Sequence, residues 1–286
     1  MREFRKLAVL VFSLNLTLIT WMDNCVANEK TELTLPLYEL GAGFTATYGP
    51  DYPSSDEQRP KSLPFPYVVY RGPIFKSDRE RGTRAEIISD PIHVLDFSFG
   101  GSFPAPSDSN KARQGMKDLD WILELGPRYS IRLAGNPNHH MTRLQIALRS
   151  LFTTDIRSFS DRGWIFEPQI SQLIFFGTKK FWRLYAKVST IWLDQRSANL
   201  YFEVEPKYQT AVRSAYTASS GYLGTSLEYS LTFSSSPRFK WVVGQEWLNL
   251  SNSANQQSPL FKTNQALMHF TALIWTLYES ESKVLK

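Results

Sequence analysis

Residues 118–133 read DLDWILELGPRYSIRL. From Trp121 onward the odd positions carry Trp121, Leu123, Leu125, Pro127, Tyr129, Ile131 and Leu133, and the even ones Ile122, Glu124, Gly126, Arg128, Ser130 and Arg132. Side chains of a strand alternate across the sheet, so this segment has one apolar face and one wet face. In a soluble fold the apolar face meets a core. In a membrane it meets lipid.

The rest of the chain repeats the pattern. Alternation and turn residues predict twelve strands, within a range of ten to fourteen, at 38–48, 65–71, 82–88, 92–101, 120–133, 142–153, 163–176, 181–193, 199–208, 218–233, 238–250 and 266–278. Many reach the 9–11 residues that a tilted strand needs to cross a bilayer. Trp121, Trp164, Trp182, Trp192, Trp241 and Trp275 fall near strand ends, where a membrane barrel places its aromatic girdles. The mean hydropathy of −0.29 is that of a soluble protein, but a barrel shows lipid only every second residue. After residue 27 no apolar run is long enough for a transmembrane helix. Long strands without helices therefore predict an all-β, antiparallel transmembrane barrel, closed because an open edge in hydrocarbon strands its backbone groups. One feature resists: the long connections 49–64, 102–119 and 251–265 follow predicted strands one, four and eleven, which mixes the two ends of the barrel.

The N-terminus, MREFRKLAVLVFSLNLTLITWMDNCVANEK, has a basic start, an apolar stretch from Leu7 to Met22 and a small-residue site at Cys25-Val26-Ala27. It reads as an export signal, 1–27, cleaved after Ala27. A periplasmic lead-in (28–37), the barrel (38–278) and a tail (279–286) follow. Cleavage removes Cys25, the only cysteine, and with it any thiol chemistry. A net charge of +5 spread along the chain forms no basic cluster, so nucleic acid is not an expected partner.

The motifs admit bland and sharp readings. In PDYPSSDEQRP, turn residues around Asp51, Tyr52, Pro53 and Asp56 predict a surface loop capped by its own amides or by Arg59; the sharper reading is a partner or cation loop. In LPFPYVVYRG, Pro64 and Pro66 remove two donors at the barrel rim. Tyr67 and Tyr70 suit the headgroup layer, and Arg71, followed by Gly72, is expected to pair with Glu86 or Glu124. In GMKDLDW, with Gly115 among the candidate rim residues, Asp118 and Asp120 point to one side, either to pair with Arg128 and Arg132 or to do acid/base work or hold a metal. Arg128, Arg132, Arg143, Arg149, Arg183 and Lys187 fall on the polar faces and form a candidate inward basic lining. His139-His140 lies in a turn. No HExxH or GxSxG occurs, and GAGFTA (41–46) has no βαβ unit around it. No cofactor is expected.

Three stretches carry a family likeness: YGPDYPSSDEQRPKSLPFPYVVYRG (48–72), GGSFPAPSDSNKARQGMKDLDWILELGP (100–127) and SNSANQQSPLFK (251–262). In order and spacing the chain resembles the MipA/OmpV family of Gram-negative outer-membrane proteins from about residue 37 to 278. The resemblance implies an outer-membrane barrel in contact with lipid. It also implies a scaffold that bridges a lytic transglycosylase and a penicillin-binding murein synthase. It supplies no catalytic residues. The end departs from the pattern: outer-membrane barrels usually finish on an aromatic residue, and here Tyr278 is followed by ESESKVLK.

The expected function is thus a non-enzymatic scaffold for peptidoglycan remodelling, with a narrow channel for small solutes as the alternative. An outer-membrane hydrolase ranks third, because His and Ser are not arranged for that chemistry.

Overall fold

The alternation becomes strand along nearly its whole length. The computed structural model describes residues 34–285 except 71–74, 79–81, 137–138, 156, 178–181 and 237, and gives backbone alone at 75–78, 82–89 and 285. The proposed export signal, Arg71 and Gly72 lie outside the described residues. In chain order the strands are β1 (Thr34–Pro36), β2 (Tyr38–Pro50), β3 (Gln58–Tyr70), β4 (Phe75–Asp78), β5 (Gly82–Ser89), β6 (His93–Ser102), β7 (Trp121–Asn136), β8 (His140–Thr154), β9 (Phe159–Phe176), β10 (Trp182–Leu193), β11 (Gly221–Ser236), β12 (Phe239–Asn249), β13 (Gln265–Glu279) and β14 (Lys283–Leu285). β1 and β14 pair with each other.

The other twelve form one sheet in the order β3-β2-β13-β12-β11-β10-β9-β8-β7-β6-β5-β4. Each of these strands pairs antiparallel with its neighbour, and β2 joins β13 through His269↔Tyr48 to Glu279↔Glu39. The row ends on β3 and β4, which are consecutive in sequence and in contact. This is the curled meander of an antiparallel barrel.

The strand count agrees with the expectation because two errors cancel. β4 is only four residues long and was not expected. The strand predicted at 199–208 is instead a helix, α1 (Gln195–Phe202), followed by a 3-10 turn at Pro206–Tyr208. Its apolar residues alternate loosely, but Ala198, Tyr201 and Phe202 are spaced for one helical face, and Asp194 caps the first turn by accepting from Ser197 N–H at 2.8 Å. With β4 counted, the connections after β2, β6, β8, β10 and β12 all leave one end of the barrel, here the loop end. The start of β2, the end of β13 and the connections after β5, β7, β9 and β11 belong to the other, the turn end. The apparent mixing of ends came from the missed strand.

The faces answer the opening question. Leu123, Leu125, Tyr129 and Leu133 of β7 point outward with Leu144, Ile146 and Leu148 of β8 and Trp164, Phe166 and Ile170 of β9, all exposed. Between them Ser130, Gln145, Glu167, Gln169 and Ser171 turn inward and are buried. Along the middle of the barrel the inner face is polar and the skin is apolar, which is the inverse of a soluble sandwich. Trp121, Trp164 and Trp192 lie toward the loop end of their strands, and Trp182, Trp241 and Trp275 toward the turn end. Trp182 and Trp192 share a face of β10, and ten tilted residues separate them by roughly 25 Å along the membrane normal, the height of an outer-membrane apolar band.

Three prolines in β3 follow from its place at the end of the row. Pro60, Pro64 and Pro66 have one parity and lie opposite Tyr48, Phe44 and Ala42 of β2. A proline is tolerated in a strand where its missing N–H faces away from the ladder. The donors of Arg59, Lys61, Leu63, Phe65 and Tyr67 then serve β2, and the donor-poor edge faces the short β4. The segment read as turn from 49 onward is therefore strand again from Gln58.

Candidate functional site

The long loops of the loop end fold together into a plug. Residues 51–57, 103–120, 194–220 and 250–264 supply Tyr52, Ala105, Ala112, Leu119, Ala198, Tyr201, Phe202, Val204, Ala218, Leu250 and Leu260. These pack on Ile122, Leu151, Ile165, Leu193 and Leu223 from the inner wall. This is the apolar core of the molecule, and it sits at the mouth of the barrel. Apolar inward positions at the loop ends of β7, β8, β9, β10 and β11 receive it, where the same faces are polar farther down.

Polar contacts fix the plug's shape. The Tyr52 hydroxyl donates to Leu260 O at 2.7 Å, and the Arg113 guanidinium lies 5.7 Å from its ring centre. Burial pushes the Tyr52 and Tyr201 hydroxyls well above the usual phenol range, and Arg113 offsets part of this at Tyr52. Asp51, buried, receives Asn110 Nδ2 at 3.0 Å and faces Arg59 Nε at 3.2 Å and Lys61 Nζ at 3.7 Å. Arg213, also buried, donates from Nη1 to Ala112 O and Gln114 O, each at 3.0 Å, and from Nη2 to Tyr208 O at 2.8 Å. It thus ties the β6–β7 loop to the β10–β11 loop. Asn255 accepts from Ser219 N–H and donates back to Ser219 O, both at 2.8 Å.

Beneath the plug a cavity of about 390 Å³ is bounded by Tyr52, Pro53, Ile165 and Leu223 above and by charge below. There Arg149 Nε meets Glu124 at 2.8 Å and its Nη2 binds Glu167. Lys187 Nζ lies 3.4 Å from Glu167 and 3.0 Å from Glu228. Positive and negative side chains alternate across β7, β8, β9, β10 and β11. Nearer the turn end, Arg128 grips Asp96 with two bonds of 3.0 Å. A second cavity there is lined by Arg128, Arg143 and Arg183.

The candidate residues divide accordingly. Asp51 and Tyr52 are not a free partner-binding loop: both are buried, because the loop folds inward to complete the plug. Pro53 borders the lumen cavity, and among Asp51, Asp56 and Glu57 only Asp56 is exposed. Pro64 and Pro66 face outward on β3. Tyr70 does too, but Tyr67 points inward, because three residues along a strand is an odd step. Glu124, one suggested partner of Arg71, is bound by Arg149; the Glu86 side chain, like Arg71, is outside the described ones. Gly115 lies in the β6–β7 loop at φ +78°. Asp118 does not pair with Arg128 or Arg132: it accepts Ser107 N–H at 2.6 Å within the plug, while Arg128 takes Asp96. Asp120 is half-buried beside buried Leu119 and borders a surface groove between the β6–β7 loop and α1. Among the described residues no group of three His, Cys, Asp or Glu is placed to hold a metal. Arg149 and Lys187 border the cavity beneath the plug, and Arg143 and Arg183 border the second one. Arg132 shares the inward face of β7 but is absent from the lining of both. Sequence reading missed α1, Asn110, Arg113, Arg213 and Asn255. The D-x-x-S spacing of Asp194 and Ser197 was a readable helix start.

A family model described as MltA-interacting protein MipA matches residues 42–277. The chain belongs to the MipA family. No curated protein sequence matches it. Solved structures of similar shape include the NanC porin, 6% identical with a TM-score of 0.38, over 84% of this chain and 100% of that one. Another is the COG4313 outer membrane channel from Pseudomonas putida F1, 11% identical with a TM-score of 0.42, over 88% of this chain and all of that one. A bacterial polysaccharide outer membrane secretin is 8% identical at a TM-score of 0.40, over 83% and 98%. This MipA-family chain is an outer-membrane β-barrel, with its apolar belt in lipid and its charged network inside.

Proposed function

We propose that the protein is a non-enzymatic scaffold of the outer membrane. Its turn end faces the periplasm, and it holds a lytic transglycosylase close to a penicillin-binding murein synthase during peptidoglycan remodelling. The family's description as MltA-interacting protein supports a murein-enzyme partner. The observation that carries the choice of scaffold over pore is the plug: an apolar core closes the loop end, and the lumen below is crossed by bonded charges. Short turns belong on the periplasmic side of such barrels, which makes the turn end the docking side.

In vivo crosslinking of a tagged full-length chain, followed by detergent capture and mass spectrometry, tests the reading. Enrichment of both enzyme classes is expected. Their absence from a correctly inserted, heat-modifiable protein, together with discrete conductance steps in a planar bilayer, would replace the scaffold with the narrow-channel reading.

A further inference from the structure

The outer skin of the barrel is not uniform. On β7, β8 and β9 it presents large apolar side chains such as Leu123, Leu125, Ile146, Leu148, Trp164 and Phe166. On β11, β12 and β13 a polar row crosses it. Tyr229, Gln245 and His269 lie opposite one another in register on the outward face, and Tyr48 of β2 lies opposite His269. Tyr229, His269 and Tyr48 are exposed. Apolar outward residues flank the row, Leu227 and Leu231 on β11 and Leu267 and Leu273 on β13. Tyr229 is eight residues from the loop end of its strand, His269 four and Tyr48 two. The row thus starts within the apolar belt and climbs toward the loop end.

The hydrogen bonds along the row leave one donor over. The Tyr229 hydroxyl donates to Gln245 Oε1, and Gln245 Nε2 donates to His269 Nδ1 at 2.8 Å. With Nδ1 accepting, the neutral ring carries its proton on Nε2. Among the described residues that N–H has no acceptor, and the Tyr48 hydroxyl has no partner. A polar group left unpaired against hydrocarbon is costly. The outward pair Thr142 and Gln172 differs, because it closes on itself: the Thr142 hydroxyl donates to Gln172 Oε1 at 2.5 Å, and Gln172 Nε2 donates to Leu173 O at 3.4 Å.

The skin beside the row is built of short side chains. Ala42 and Ala46 of β2 and Ser62, Pro64 and Pro66 of β3 all point outward. Small residues let two membrane-embedded surfaces approach closely, and polar side chains then bond across the contact. We propose that this face is a contact between two copies of the barrel, side by side in the membrane. A two-fold axis relating them runs along the membrane normal, so groups at one depth meet, and each contact occurs twice. His269 and Tyr48 are register partners on neighbouring strands and lie close in depth. The His269 Nε2–H of one copy then donates to the Tyr48 hydroxyl of the other, and the reverse. Hydroxyl, amide and imidazole each donate and accept, which makes the row complementary to itself. Acyl chains offer no acceptor at this depth. The contact does not depend on the murein-enzyme reading.

The test is disulfide crosslinking in the intact outer membrane, on the full-length chain carrying Cys25→Ser. Ala46→Cys, beside Tyr48 and close to the axis, is expected to give a crosslinked dimer on oxidation, and Leu148→Cys on the far wall none. Adding His269→Leu or Tyr48→Phe should reduce the dimer, and adding Gln172→Leu should leave it unchanged. In neutral detergent, sedimentation equilibrium should show His269→Leu raising the dissociation constant of the dimer roughly three- to thirtyfold, the range for a polar contact within a bilayer. Heat-modifiable migration on gels confirms assembly of each variant, and none of these changes removes a strand bond. Absence of a crosslink at Ala46→Cys overturns the proposal without recourse to the other variants. So does an equal crosslink at Leu148→Cys, the sign of random collision, or a dimer undiminished by both His269→Leu and Tyr48→Phe. A monomer carrying one bound lipid, lost on His269→Leu in native mass spectrometry, would overturn it in favour of a lipid site.

Discussion

Asn110 Nδ2 donates to Asp51 Oδ2 across 3.0 Å, joining the loop after β2 to the loop after β6. The same carboxylate faces Arg59 and Lys61, and its side chain is fully buried. Removing it takes from Lys61 the carboxylate it faces and leaves Arg59 with Glu57 alone. Asp51→Ala is expected to destabilise the plug by about 3–5 kcal/mol, the usual result of deleting one partner of a buried pair. The measure is the urea dependence of protease cleavage in the loops. Cleavage at the wild-type urea concentration would show that Asp51 is not the joint.

The plug should fail before the barrel does. Phe202 on α1 is wholly buried, and its ring sits 6.1 Å from that of Phe261. Phe202→Ala removes the largest side chain among the fully buried ones, at a cost of about 3–5 kcal/mol. Strand pairing does not pass through it. The variant should keep its heat-modifiable barrel and gain protease sites between 194 and 220. Loss of the barrel together with the plug would show the two to be one cooperative unit.

The barrel was legible in the sequence because period-two alternation is a local signal that each strand carries by itself. Pro64 and Pro66 were legible as lost donors, but only the end of the sheet explains why a strand keeps them. The plug was not legible. Asp51 and Asp56 look alike as turn residues, yet one is buried and the other exposed, because burial is decided by Asn110 and Arg59 from other segments. The basic lining was readable as inward-facing. Which carboxylate meets Arg128, Arg149 or Lys187 depends on where Glu124, Glu167, Glu228 and Asp96 fall in neighbouring strands, and register is not written in one strand.

The lipid face makes a sharp contrast with the lumen. Ile146 and Gln145 are adjacent in the middle of β8, one exposed to the outside and one buried within. Ile146→Arg places a charge in the hydrocarbon belt and should cost about 2–4 kcal/mol. Refolding into lipid vesicles, read by the gel shift, gives the value. An effect near zero would mean that this face of β8 does not meet hydrocarbon.

Across the lumen, Arg149 serves two glutamates, and Glu167 is shared with Lys187. Arg149→Met should therefore destabilise the barrel by about 3 kcal/mol or more, since Glu124 and Glu167 lose a common partner. Adding Glu124→Gln should recover part of the loss, and a double-mutant cycle measures how much. Strict additivity would deny the coupling.

The plug should also respond to acid, and the sign follows from Asp194. Partial burial alone would raise the pKa of this carboxyl, but the N–H and hydroxyl of Ser197 and the Trp164 backbone outweigh it and hold it below the usual value. Its anchorage of α1 is therefore in force above the ordinary carboxylate pKa of about 4 and fades as pH falls below it. Asp155, held low by the N–H and hydroxyl of Ser158 and the N–H of Arg157, acts in the same direction at the loop end. At the alkaline side Tyr52 and Tyr201, raised by burial, keep their stabilisation up to the ordinary phenol value of about 10 and lose it as pH climbs further. Near-ultraviolet circular dichroism of the folded barrel should thus change below about pH 4 and above about pH 10 and stay flat between. Asp194→Ala should cost the helix about 1 kcal/mol, the usual worth of a side-chain cap, and shrink the acid step. Gly163→Ala should act the same way for a steric reason. Gly163 sits at φ +92°, and a Cβ there would collide with the Asp194 carboxylate. An acid step unaltered in both variants would remove Asp194 as its origin.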